Sequence, residues 1–135
     1  MKFEAHLPTT KLHDVPVHDL ATILVHLAAR PTDVRSWGPV MEILPALVGD
    51  VREKGGLKNL EVELGPRSAA ARTRLAYLIE GVAPALAREL APSDHGVVWF
   101  GRRGNATKRY HPELQVADTI LPIAPNQLAP IGGDT

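Results

Sequence analysis

The chain of 135 residues contains no cysteine. That excludes disulfides, thiolate zinc sites and a cysteine nucleophile. Aromatic residues are scarce, with two each of Trp, Tyr and Phe. No apolar run approaches the ~20 residues of a membrane span, and the opening MKFEAHLPTT lacks the apolar core of a secretory signal. These absences predict a cytoplasmic protein with no membrane partner. Net charge is also absent, since fifteen Lys and Arg balance fifteen Asp and Glu. A charged partner must therefore be met by local clustering and not by the field of the whole molecule. The sequence has no GxSxG, no GxxxxGK[ST], no GxGxxG after a strand and no HExxH. No catalytic residue, metal or cofactor is expected.

What is present fits one domain of ordinary size. KFEAHL (Lys2–Leu7) alternates apolar and polar residues and predicts a strand. Asp14 is placed to cap a helix through Ala29, whose stripe is Val17, Leu20, Ile23, Leu24 and Leu27. A second helix is predicted from about Pro39 to Glu53, kinked at Pro45 and ended by Gly55 and Gly56. NLEVEL (Asn59–Leu64) alternates strictly and predicts a second strand. Ser68 then caps a long helix through Leu90, with Leu75, Leu78, Ile79, Val82 and Leu86 in its stripe and Pro84 kinking or dividing it. VVWF and KRYH read as a β-hairpin across a Gly-Asn turn, and a short strand is expected near TILPI.

The expected fold is thus a single small α+β domain over residues 1–122. Its order is β-α-α-β-α-β-β, with a mostly antiparallel sheet, helices on one face and a basic β-hairpin near 96–111. The predicted core contains Leu20, Leu24, Leu27, Leu44, Leu47, Leu75, Leu78, Ile79, Val82 and Trp99. Residues 123–135, rich in Pro and Gly, predict an extended or disordered C-terminal arm.

Charge is segregated along this order. Residues 1–64 hold seven bases and nine acids, residues 65–110 eight bases and three acids, and residues 111–135 three acids and no base. Four of the bases, Arg102, Arg103, Lys108 and Arg109, fall within eight consecutive positions, and Tyr110 follows them. Bases of this kind contact phosphates, and an aromatic beside them stacks on unpaired bases. Arg67, Arg72 and Arg74 cluster at the start of the third helix, where the helix dipole disfavours cations by ~0.3–1 kcal/mol each. They either await an anion or reach an acid just upstream, Glu61 or Glu63. The eight residues Arg67, Arg72, Arg74, Arg102, Arg103, Lys108, Arg109 and Tyr110 form the candidate nucleic-acid or anion-binding set.

The histidines point elsewhere. His13 and His18 in HDVPVHDL are five apart across a helix start, and His18 and His26 lie ~12 Å apart along one helix, too far for one ion. Ser93, Asp94 and His95 are consecutive, which neither makes nor breaks a triad. A helix followed by a basic hairpin resembles, in element order, the second half of a winged-helix domain. The length of this helix, its Pro84 and the lack of a tight helix–turn–helix before it depart from that plan. The leading expectation is a non-catalytic protein that binds nucleic acid, or an acidic protein surface, through the basic helix end and hairpin. The alternative is an assembly subunit, phage-particle-like or another oligomer component, that pairs copies through the C-terminal arm. A small hydrolase is the remote third reading.

Overall fold

Leu20, Leu24 and Leu27 fall on one side of a helix and are wholly buried, so the first predicted stripe is a core stripe. In the computed structural model, which describes residues 17–53, 55–65, 69–92 and 96–131, this helix is α1 (Val17–Ala29). It is followed by α2 (Trp37–Glu53), α3 (Leu57–Leu64), α4 (Ala69–Ile79) and α5 (Pro84–Leu90). Three short strands close the order: β1 (Val98–Phe100), β2 (Arg109–His111) and β3 (Val116–Asp118). The molecule is a small α+β domain of five helices and a three-stranded mixed sheet among the described residues. No helix among them is long and apolar enough to cross a membrane.

α1 packs against α2, α3 and α4, while α4 also carries α5, β1 and β3. α4 is thus the wall between the helical layer and the sheet. Its Leu75, Leu78 and Ile79 are fully buried, as are Leu44 and Leu47 of α2 and Val82 beyond α4. The expected core is recovered except for Trp99. Strand β1 alternates, and it is Val98 and Phe100 that face inward while Trp99 is half-buried. Phe100 lies between Trp37, at 5.3 Å between ring centroids, and Tyr77, at 5.6 Å. The indole N–H of Trp37 is satisfied by donating to the Pro31 carbonyl at 3.0 Å.

Two of the predicted elements are corrected. Asn59–Leu64 is helical and not a strand, because Leu57, Leu60 and Leu64 also recur at helical spacing. Leu60 and Leu64 are buried against the core, whereas Val62, the middle residue of the apparent alternation, is 73% exposed. Of the two outcomes expected at Pro84, the structure has the division: Pro84 stands in the first turn of α5, where its missing N–H costs nothing. α2, expected from about Pro39 to Glu53, spans Trp37–Glu53 with Pro45 inside it. Gly55, at φ +69°, then turns the chain as a left-handed helix cap.

The second correction concerns the sheet. β1 and β2 do not pair with each other: the strand order is β1-β3-β2, with β3 parallel to β1 and antiparallel to β2. The hairpin is β2–β3, closed over Pro112–Gln115 with Gln115 at φ +57°. β3 leaves no alternation in the sequence because Val116, Ala117 and Asp118 are all buried, as a central strand covered on both faces must be. It lies just before TILPI, which is not a strand. The sheet is therefore evenly mixed and not mostly antiparallel.

Several expectations, namely the strand at Lys2–Leu7, the caps at Asp14 and Ser68, His13 and the Ser93–His95 run, lie outside the described residues, as does the side chain of His18. The described part of the C-terminal arm lies against its own domain. A 3-10 turn at Pro125–Gln127 passes over Gly81, and the Ile131 N–H donates to the Val82 carbonyl at 2.9 Å. Gly81 is required there, since a Cβ at that position would fall 2.0 Å from the Pro125 carbonyl oxygen.

Candidate functional site

The basic segment Gly101–Lys108 is a loop that joins the outer strands β1 and β2 around the end of β3. Both of its feet are fixed to β3. The Thr119 N–H donates to the Phe100 carbonyl at 3.0 Å, and the Lys108 N–H donates to the Asp118 carbonyl at 2.7 Å. Gly101, at φ +120°, lies so close to Thr119 that a Cβ would meet its Oγ1 at 2.1 Å. At the tip, the Asn105 N–H donates to the Arg102 carbonyl at 3.2 Å, and Gly104 takes φ +97° in the turn so formed. Arg102, Arg103 and Lys108 are exposed and make no side-chain hydrogen bond or ion pair among the described residues. No acidic residue interrupts 101–108.

The base of the loop is held by a buried carboxylate. Asp118 is fully buried at the end of the central strand. Its Oδ2 accepts hydrogen bonds from the Tyr77 hydroxyl at 2.6 Å and from Arg109 Nη1 at 2.5 Å. Its Oδ1 accepts the backbone N–H groups of Ile120 and Leu121, each at 3.0 Å. Arg109 Nη1 also donates to the Leu121 carbonyl at 3.0 Å. Four donors thus converge on the carboxylate, as a buried charge requires. Burial, reinforced by the Asp118 charge, pushes the Tyr77 hydroxyl far above its ordinary range. Burial pulls the Arg109 guanidinium down, but the bond to Asp118 outweighs it and the net direction is up. Arg109 is therefore held at the root of the loop instead of standing out with its neighbours.

The helix arginines divide in the same way. Arg72 makes a two-pronged pair with Glu61, at 2.8 and 3.4 Å, and approaches the Leu90 carbonyl at 3.4 Å. It ties α4 to α3 and α5, which is why cations tolerate that end of α4. Arg74 donates from Nε to the Trp99 carbonyl at 2.7 Å, bracing β1, and burial lowers its pKa. Arg67 lies outside the described residues. Of the eight candidate residues, Arg102, Arg103, Lys108 and the half-exposed Tyr110 share one loop and the strand that follows it, while Arg72, Arg74 and Arg109 face inward to other elements.

Sequence reasoning missed a second polar group beside α4. His111 Nε2 lies 2.7 Å from Glu80 Oε2, and Nδ1 accepts the Leu114 N–H at 3.1 Å. The backbone donor at Nδ1 fixes the ring proton on Nε2, which donates to Glu80. Both ring nitrogens are thereby engaged, so His111 offers no lone pair to a substrate. The signal was faint: one His after an aromatic, and one Glu thirty-one residues before it at the end of an apolar run.

The acid-free basic loop thus rises from a base held by a buried carboxylate. Residues 1–81 match the family described as the AbiEi antitoxin C-terminal domain, and the chain belongs to that family. No curated protein and no solved structure matches it. The match spans α1 to α4 and stops before the sheet, so the basic loop stands beyond the matched segment.

Proposed function

We propose that this antitoxin-family domain is a non-catalytic nucleic-acid-binding protein that grips phosphate oxygens with Arg102, Arg103 and Lys108. The observation that carries the reading is the loop: three exposed bases, no acid, no internal side-chain partner among the described residues, and both feet fixed to a buried strand. Membership of an antitoxin family supports it at the level of class. Tyr110, half-exposed on the following strand, offers an aromatic face beside the bases. Arg109, Arg72 and Arg74 act as positioning residues in this reading, since each is engaged in holding the scaffold. Contacts of this kind carry affinity and not sequence selectivity.

The test is the salt dependence of DNA binding by fluorescence anisotropy. The double variant Arg103→Gln with Lys108→Gln should change stability by less than ~0.5 kcal/mol, as exposed substitutions usually do. It should bind duplex DNA more weakly. The log–log salt slope should flatten by about 0.9 for each phosphate no longer neutralised, or about 0.7 on a single strand. A parent protein that binds no nucleic acid, or a variant that binds with the parent's slope, overturns the reading.

A further inference from the structure

A cleft of about 500 Å3 opens between α5, the β2–β3 turn and the 3-10 turn Pro125–Gln127. One side is apolar, formed by Pro84, Ala87, Ala91 and Leu114. Facing it are the carboxylates of Glu80 and Glu113 on either side of the His111 ring. Glu80 is mostly buried, at 17% side-chain exposure, and only its Oε2 is bonded, to His111; its Oε1 has no hydrogen bond among the described residues. Glu113 Oε2 lies 3.4 Å from His111 Nδ1, but that nitrogen already accepts the Leu114 N–H and brings no proton to Glu113. Burial, with the charge of Glu113 added, holds the Glu80 carboxyl above its ordinary range despite the opposing pull of His111. A cation placed there would relieve that cost. Arg88 and Asn126 complete the lining.

We propose that this cleft receives an arginine or lysine side chain of a protein partner, its aliphatic stem along Pro84, Ala87, Ala91 and Leu114 and its charged head on Glu80 and Glu113. The lining holds two carboxylates and, in Arg88, one guanidinium, so its charge is negative and complementary to a cation. The apolar wall fits the stem that a long basic side chain buries while its head stays polar. Arg88 and Asn126 are donors suited to peptide carbonyls, which a free polyamine does not bring. The occupant is therefore a basic peptide segment. The site uses none of the loop residues Arg102, Arg103 and Lys108, so it stands or falls separately from nucleic-acid binding.

The experiment is a titration of the 15N-labelled full chain with acetyl-Gly-Arg-Gly-amide, followed at the backbone amides of Leu114 and Asn126. The citrulline tripeptide, equal in shape and uncharged, should bind roughly tenfold more weakly, the loss expected for a charge-assisted hydrogen bond. Glu80→Gln retains an acceptor for His111 and should weaken the arginine peptide by a similar factor. Glu113→Gln, at an exposed position, leaves the fold untouched and should weaken it roughly threefold, as for a surface ion pair. The Arg103→Gln, Lys108→Gln variant should bind the peptide as the parent does. Equal binding of the citrulline peptide, no shift at the cleft amides, or putrescine binding as tightly as the tripeptide overturns the proposal.

Discussion

The helical layer and the sheet are held together by different physics. From α1 to α5 the interior is mainly aliphatic, and Leu20, Leu24, Leu44, Leu47, Leu60, Leu75 and Leu78 are all fully buried. Each such side chain contributes about 1.5–3 kcal/mol by leaving water, and the cost of losing one is shared among many neighbours. The sheet has three strands of three residues each, too short to be stable by pairing alone. Its organising contact is polar: Asp118, with Tyr77 reaching across from α4, Arg109 from β2 and two N–H groups from the turn that follows. A core of leucines degrades gradually, whereas a buried carboxylate with four donors fails as a unit. The charged loop is mounted on the second kind of structure, so its base is set by directional bonds.

The sharpest way to break this contrast is to remove the carboxylate. Asp118→Ala should cost about 3–5 kcal/mol in urea unfolding, because it leaves the buried Tyr77 hydroxyl and the Leu121 N–H without an acceptor and the half-buried Arg109 guanidinium without its counter-charge. Amide exchange should rise first across β2 and β3. A cost below ~1 kcal/mol, or exchange that does not rise first across β2 and β3, would mean that the sheet does not hang on Asp118. Leu78→Ala on the other side of the comparison should cost about 2–5 kcal/mol with the loss distributed through the helices. A value under ~0.5 kcal/mol would mean that the α4 stripe is not the core of the helical layer.

The smallest effect belongs to the surface pair that links α4 to α3. The hydrogen bond from Arg72 holds the Glu61 carboxyl below its ordinary value of 4.5, against a modest opposing push from burial. A depressed folded value means that the contribution is present above the unfolded pKa and is lost as pH falls through the folded one. Glu61 is more than half exposed, so solvent screening keeps the effect small. Arg72→Gln should therefore cost less than ~1 kcal/mol near neutral pH. That part of the difference should fade in acid as Glu61 is protonated. A cost that persists undiminished in strong acid would assign Arg72 to packing or to its contact with the Leu90 carbonyl.

The leucine stripes, the prolines and the clustered bases were legible along the chain because each acts through its immediate neighbours. Helical spacing decided α1, α2 and α4 without reference to anything distant, and Gly55 and Pro84 marked ends that the backbone itself imposes. Asn59–Leu64 shows the limit of that reading. Six residues satisfied both a strand and a helix period, and only the burial of Leu60 and Leu64 against α1 and its neighbours chose between them. β3 shows it again, since three residues covered on both faces carry no period.

The sequence by itself determined that this is a small α+β chain with an aliphatic helical core and a concentrated run of positive charge, since composition and local spacing suffice for those. Only the tertiary structure decided which of those charges are spoken for. The sequence already offers Glu61 as an acid just upstream of the helix arginines, but nothing in it sets Arg109 apart from Arg102 and Arg103 or ties Arg74 to a strand carbonyl. The arginines differ in what lies within reach: Glu61, the Trp99 carbonyl and Asp118 stand 11, 25 and 9 residues away along the chain. A guanidinium is committed or available according to neighbours that folding brings to it, and for Arg74 and Arg109 no local pattern encodes those neighbours.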